Sequence, residues 1–306
     1  MSDKNKLKIC FIGLGVMGSR ISKNISQGGF NISVYDIDPS IRQDFRKLGY
    51  HAPETGSDAA KNADIVITIL PTSEIVNEAI FGFDKDSKPI VQSVNKNCLF
   101  VDMTTGSLSD LFALNKKLIN VGHRLIDAPV GRSPREAEVG KSLVMAGGTN
   151  SEIAQAKPVF EAFADTVVHV GAVGDGLRLK LVNNYMAMVN HVLTGEVLSF
   201  AGSTGLDRDV VMSVLSSTSA GKGQLLTNFP KKVLADDISP DFSIKMGIKD
   251  LNMALELASN LNFDPKFGKL SHAIFSEASE AGMGDQDCTA ILNYFDKIKN
   301  QKVKWD

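Results

Sequence analysis

Residues 8–18 read K-I-C-F-I-G-L-G-V-M-G, and this stretch decides the fold. Lys8–Gly13 is an apolar run with little polar alternation, the pattern of a strand covered on both faces. It passes directly into Gly13-Leu14-Gly15-Val16-Met17-Gly18 and then into the amphipathic segment Ser19–Gln27. In such a strand–turn–helix the first glycine allows the tight turn. The second lets the backbone approach a pyrophosphate, and the third permits close helix–strand packing. The helix that starts there points its free N–H groups and positive dipole end at the phosphates. An acidic residue is expected about 20 positions further on, and Asp36 closes the next strand-like run, placed to bind an adenosine ribose 2′-hydroxyl. A 2′-phosphate would face Asp36, and Ile37 and Asp38 bring no cation, so NAD(H) is preferred over NADP(H). Arg42, a turn further on, is the one cation expected within reach.

Outward from this unit, strand-like runs recur at Asn31–Asp36, Asp64–Leu70, Cys98–Met103, Arg124–Val130, Leu143–Gly147 and Thr166–Val170. Amphipathic stretches at Pro39–Leu48, Ser73–Ile80 and Ser107–Leu118 separate several of them. The alternation predicts an α/β domain with a mainly parallel, doubly wound sheet over residues 1–171. Ligands of such sheets lie beyond the carboxyl ends of the strands, so Leu70, Pro71 and Thr105 should line the ribose and nicotinamide. Past Gly171 the pattern becomes helical. Gly176–Gly202 is apolar around most of the helical circumference, which predicts a long interdomain helix (172–204) covered on several sides. Asp207–Ser216, Phe242–Leu261, Pro265–Ala281 and Asp287–Lys299 predict an all-α domain over 205–306.

Composition narrows the function. The 306 residues carry 33 Lys plus Arg against 35 Asp plus Glu, so no broad basic surface is expected for nucleic acid or acidic membranes. No apolar run approaches the roughly 20 residues of a membrane helix, and MSDKNKLKIC holds no apolar stretch of signal-peptide length. Cys10, Cys98 and Cys288 are scattered, which suggests neither a disulfide framework nor a metal site. These features predict a soluble cytoplasmic enzyme. The tail KIKNQKVKWD reads as a solvated helix end. Gly221-Lys222-Gly223 lacks the upstream glycine and the Ser/Thr of a phosphate loop.

Nicotinamide chemistry needs a group that exchanges a proton with the substrate oxygen. His51, His123, His169, His191 and His272 are scattered and lack partners in sequence. Lys180, Asn183, Asn184 and Ala187 instead fall at i, i+3, i+4 and i+7 and share one helix face. Either they line a polar cleft, with Lys180 as acid or base, or Lys180 snorkels to solvent. Asp127-Ala128-Pro129-Val130-Gly131-Arg132-Ser133 ends a strand and enters a helix-like segment. There the Arg132 fork either takes an anionic oxygen cluster or pairs with Glu136 or Glu138.

GLGVMG, Asp36, DAPVGR, VMAGG (144–148), GLRLKLVNNYM (176–186) and IKDLNMAL (248–255) together resemble the β-hydroxyacid dehydrogenases, which include 3-hydroxyisobutyrate, tartronate semialdehyde and 6-phosphogluconate enzymes. The resemblance spans essentially the whole chain. It implies a Rossmann domain, a long interdomain helix, a helical second domain and a homodimer or homotetramer. Lys180 takes the catalytic-lysine position and Asn184 that of the substrate-orienting asparagine. Thr105 falls near the nicotinamide and substrate, and Lys249 close to the cofactor. Most members have Ser-Gly after DxPV, where this chain has Gly131-Arg132. With Ser133, KLVNNYM and TSAGKGQ (218–224), that departure resembles the family's 3-sulfolactaldehyde-reducing branch of sulfoglycolysis. It implies sulfonate binding by Gly131, Arg132 and Ser133, and substrate contacts from Asn183, Asn184, Tyr185, Met186 and Ala187. The product would be 2,3-dihydroxypropane-1-sulfonate. A carboxylate-bearing semialdehyde or hydroxyacid (succinate semialdehyde, tartronate semialdehyde, 3-hydroxyisobutyrate) is the alternative substrate. A non-catalytic NAD-binding oligomerisation module is the remote one, and the intact Lys180 speaks against it.

Overall fold

The computed structural model describes residues 7–82 and 88–298, so all of the basic tail beyond Ile298 lies outside the described residues. The chain divides into two compact units, Met1–Met186 and Ala187–Asp306. The first opens with β1 (Lys8–Ile12), α1 (Gly18–Gln27), β2 (Asn31–Tyr35), α2 (Pro39–Lys47) and the short α3 (Gly56–Ala59). Next come β3 (Ile65–Thr68), α4 (Ser73–Phe81), β4 (Leu99–Asp102) and α5 (Leu108–Asn120). The sheet is completed by β5 (Arg124–Asp127), β6 (Val130–Gly131), α6 (Pro134–Glu138), β7 (Ser142–Gly147), α7 (Asn150–Phe160) and β8 (Ala164–Gly171).

The strand order is β2-β1-β3-β4-β5-β7-β6, with β8 also on β7. Strands β1 to β5 are mutually parallel, while β7 is antiparallel to β5 and β6 and parallel to β8. Ile9 and Phe11 face one core with Ile21, Ile25 and Phe160, and Cys10 and Ile12 face the other with Val76, Ile80 and Leu114. Helices therefore cover both faces, which is why these strands read as unbroken apolar runs. The single run expected at Arg124–Val130 is two strands, because Pro129 has no N–H to continue a ladder. Helices α3 and α7, which the sequence reading left unassigned, complete the layers.

Helix α8 (Asp175–Ser203) spans the boundary between the units, and α9 (Arg208–Ser217), α10 (Ser219–Lys222), α11 (Ile244–Asn260), α12 (Lys266–Ala278) and α13 (Ile291–Ile298) follow. Glu196 accepts the Phe267 and Gly268 N–H groups at 3.0 and 3.2 Å, a carboxylate at the positive end of α12. Ile244, Ala278, Met283, Ala290 and Tyr294 form a small core in the second unit. Helix α8 buries only Gly176 and Leu177 within this chain, and Val182, Tyr185, Met188 and Val192 are exposed.

The last residues of the strands form one row across the sheet, Tyr35–Ile12–Thr68–Asp102–Asp127–Gly147. Two buried carboxylates in that row hold the loops beyond it. Asp102 Oδ1 accepts the Thr68 hydroxyl at 2.9 Å and the Thr104 N–H at 3.0 Å, and Thr104 Oγ1 accepts the Leu70 N–H at 3.0 Å. Asp127 accepts the Gly174 and Leu177 N–H groups, one on each oxygen, both at 2.6 Å. The start of α8 is thereby anchored at the carboxyl end of β5. Burial pushes both carboxyl groups up, Asp102 to about 6, against hydrogen bonds that favour its charged form. The native state thus holds the Asp102 proton more tightly than the unfolded chain, and the stabilisation is complete below about pH 4 and lost as pH rises through about 6. Asp102→Asn keeps the Oδ1 acceptor and removes the titration. In urea unfolding, wild type should lose roughly 3 kcal/mol relative to this variant between about pH 4 and pH 7. A difference that stays constant with pH would contradict this account.

Candidate active site

The chain runs from β1 to β2 on one side and returns to β3 on the other, which opens a crevice at the carboxyl ends of β1 and β3. A cavity of 870 Å³ occupies it, lined by Gly13, Gly15, Val16, Met17, Gly18, Asp36, Leu70 and Pro71 among others. Gly13 has φ +97°, and a Cβ there would stand 2.2 Å from the Ile69 carbonyl oxygen. A Cβ on Gly18 would stand 1.9 Å from the Gly13 carbonyl oxygen, so α1 packs against β1 at a distance only glycine permits. A Cβ on Gly15 would meet no atom within 4 Å, so that position leaves cavity space open for a ligand.

Helices α2, α4, α5 and α7 are capped by the side chains of Asp38, Thr72, Ser107 and Thr149, whereas α1 starts at Met17 with no side-chain cap. No acidic residue stands in its first turn either. An uncapped N-terminus at the cavity is the arrangement that takes pyrophosphate oxygens. Leu14 is buried and donates its N–H to Asp36 Oδ2 at 2.7 Å, and Asp38 donates its own to Oδ1 at 3.0 Å. These bonds fix the Asp36 carboxylate at the cavity wall. The residues present fit a nicotinamide dinucleotide.

Arg42 departs from its expected position. It is 7% exposed and gives Nη1 to the carbonyls of Asp36 and Ile37 at 2.8 and 2.9 Å and Nη2 to Glu54 Oε2 at 2.8 Å. It is absent from the cavity lining, where Glu54, Glu78 and Lys88 stand instead. Sequence reading missed these three because no motif places them there.

Several of the residues expected at the substrate lie on α8, whose start Asp127 anchors. Lys180 lies one turn beyond Leu177, half-buried, and burial lowers its pKa from the ordinary lysine value. Asn184 and Ala187 are also partly buried, while Asn183, Tyr185 and Met186 are exposed. The Asn183 amide donates to Asn184 Oδ1 at 3.3 Å. Thr105 is exposed beyond β4, next to the buried Thr104. Lys180, Thr105 and Arg132 are not among the residues lining the 870 Å³ cavity. Lys249 belongs to the second unit, on α11, where it pairs with Asp250 at 3.1 Å.

Arg132 pairs with neither Glu136 nor Glu138. Its Nη1 donates to Asp165 Oδ1 and to the Lys141 carbonyl, both at 2.6 Å, and Nη2 donates to Thr166 Oγ1 at 3.2 Å. Glu136 is engaged by the Ser133 N–H at the start of α6, and Glu138 lies 3.6 Å from Arg20. The backbone of Arg132 is left-handed at φ +71°, which a non-glycine residue adopts at a cost. Gly131 is buried in β6.

Three of the histidines make hydrogen bonds, His51 with Ser33, His169 with the Gly148 and Gly171 carbonyls and His191 with the Ala187 carbonyl, and His123 packs edge-on against Phe100. No cluster of His, Cys, Asp and Glu among the described residues could hold a metal ion.

Comparison with known proteins matches residues 8–171 to the NAD-binding domain of 6-phosphogluconate dehydrogenase. Residues 174–295 match the NAD-binding region of NADP-dependent 3-hydroxyisobutyrate dehydrogenase. The 3-sulfolactaldehyde reductase of Escherichia coli is 34% identical over 93% of this chain and 94% of its own length. The mitochondrial 3-hydroxyisobutyrate dehydrogenase of Drosophila melanogaster is 30% identical over 96% and 90%. A solved 3-hydroxyisobutyrate dehydrogenase from Mycobacterium tuberculosis superposes with a TM-score of 0.64 at 26% identity, covering 94% of this chain and 99% of that one. The chain belongs to the β-hydroxyacid dehydrogenases related to 3-hydroxyisobutyrate dehydrogenase, NAD(P)-dependent oxidoreductases that act on CH–OH groups.

Proposed function

We propose that this enzyme reduces 3-sulfolactaldehyde to 2,3-dihydroxypropane-1-sulfonate with NADH, as a step of sulfoglycolysis. The observation that carries the reading is the 34% identity to a 3-sulfolactaldehyde reductase, together with Gly131-Arg132, followed by Ser133, in place of the Ser-Gly that the family resemblance leads one to expect. A nicotinamide dinucleotide held by the Gly13–Gly18 turn and Asp36 would supply hydride for the aldehyde carbon. Lys180 gives its proton to the aldehyde oxygen, completing the primary alcohol, and recovers one from solvent. A lysine with a lowered pKa exchanges that proton nearer to neutral pH than an ordinary one. Asn183 and Asn184, with Tyr185, Met186 and Ala187 beside them, orient the substrate oxygens, and Thr105 and Lys249 complete the site near the nicotinamide.

Preference for NADH rests on charge. Asp36, Glu54 and Glu78 line the cavity against the single ammonium of Lys88, among the described residues, and a 2′-phosphate would add repulsion there. The sulfonate is taken by Arg132 through the N–H groups that Asp165, Thr166 and Lys141 leave free, together with Ser133 and Gly131. A carboxylate-bearing semialdehyde is the second reading, favoured by the 30% identity to a 3-hydroxyisobutyrate dehydrogenase. The exposed apolar side chains of α8 also need cover, and a homodimer or homotetramer supplies it. Three free thiols, two of them buried, fit the reducing cytoplasm.

A panel of sulfonated and carboxylated aldehydes with NADH and NADPH should give the highest kcat/KM for sulfolactaldehyde with NADH. Better turnover of succinate or tartronate semialdehyde would overturn the substrate assignment. Lys180→Ala should lower kcat by roughly 10²–10⁴ while the Kd for NADH stays within about twofold. Wild-type reduction should also slow as pH rises through the lowered Lys180 pKa. A variant that loses NADH binding would contradict the assigned role. Arg132→Gly should raise KM for the sulfonate by roughly ten- to a hundredfold. Asp165→Asn, which removes the internal competitor, should lower it, and unchanged KM values in both variants would refute anion binding at Arg132. Light scattering on the eluting protein should give two or four times the chain mass, and a monomer would count against the assembly.

A further inference from the structure

Glu54 stands where no dinucleotide motif places a residue, yet it lines the cavity beside Tyr35, Asp36 and Ile37. Its two oxygens are divided between two arginines, Oε2 accepting from Arg42 Nη2 at 2.8 Å and Oε1 lying 2.7 Å from Arg46 Nη2. Arg46 is tied down in turn by its Nε donating to the Ala52 carbonyl at 2.5 Å. Arg42 lies against the back of the turn whose front meets the cavity. Its Nη1 holds the carbonyls of Asp36 and Ile37, and its guanidinium carbon sits 5.5 Å from the centre of the Tyr35 ring. The fit is not complete, for Arg42 Nε is buried with no hydrogen-bond partner among the described residues. A buried guanidinium with an unsatisfied N–H stays in place only if something else compensates. Among the described residues, the one carboxylate bonded to it is Glu54.

We infer that Glu54 is a second determinant of cofactor choice, acting with Asp36 by keeping Arg42 folded behind the ribose turn and out of the cavity. The inference rests on the NADH reading above and extends it. A planar arginine fork is the group suited to a 2′-phosphate, and Arg42 is the arginine nearest in sequence to the ribose carboxylate. Glu54 blocks that use twice. It occupies the Nη2 edge of Arg42, and its exposed carboxylate puts a second negative charge at the cavity wall.

The test is direct binding of each nucleotide without aldehyde, by fluorescence titration of wild type, Glu54→Ala, Glu54→Gln and the Glu54→Ala/Arg42→Ala double variant. Thermal melts of the same samples show that each is folded. Glu54→Ala should raise NADPH affinity relative to NADH by roughly tenfold, the scale of one charge-assisted contact. The double variant should lose most of that gain, because the released Arg42 is its main source and only the removed Glu54 charge remains. Glu54→Gln keeps an acceptor for Arg42 and should shift the ratio less. An affinity ratio unmoved in both single variants, or a gain undiminished by removal of Arg42, would overturn the inference. Wild type binding NADPH as tightly as NADH would instead defeat the NADH reading, while the change on Glu54 substitution still decides the role of Glu54.

Discussion

A helix that begins without a side-chain cap must find other partners for its first N–H groups, and everything around the cavity follows from α1 being held in that condition. Gly18 lies so close to the Gly13 carbonyl that no Cβ fits between them, and Gly13 so close to Ile69 that none fits there either. The contact fixes the start of α1 directly over the end of β1. Five other helices of this unit (α2, α3, α4, α5 and α7) receive an Asp, Thr or Ser cap, so the bare end of α1 stands apart from them. A ligand with phosphate oxygens completes what the chain leaves open.

Around that end, one device is used three times. Asp36, Asp102 and Asp127 stand at or just past the carboxyl ends of β2, β4 and β5, and each is held by backbone N–H groups of a neighbouring loop or helix. Asp36 takes the glycine turn, Asp102 takes the Thr104 loop, and Asp127 takes the first turn of α8. Desolvating a carboxylate is costly, and convergent N–H donors offset that cost only in one geometry. The loops are thereby tied to the rigid edge of the sheet. Lys180 owes its place to this arrangement, since the helix that carries it is anchored one turn earlier.

The second unit is built on a different balance. Its core is five buried residues with a few partly buried neighbours, while α8, α9 and α11 present Val, Leu and Met side chains to solvent. Apolar exposure on that scale exceeds the scattered hydrophobic residues of an ordinary surface.

Local sequence determined the sheet-and-helix alternation, the glycine turn, Asp36 and the all-helical second half. Each of these depends on periodicity, turn chemistry or a spacing of a few residues, which a linear text records. Helix α7 and the split between β5 and β6 were harder to read, because a short helix with an internal proline and a two-residue strand carry little periodic signal. The text also left the partner of Arg132 open among neighbours on its own segment, and the fold chose Asp165, 33 residues away. It placed Arg42 near the ribose, where packing turned it toward Glu54. Sequence decides what a residue can bond to, but the partner it does bond to is set by which strand edges and loops close together in space. Only the tertiary structure brings Asp127 to α8, Asp165 to Arg132 and Glu54 to the cavity wall.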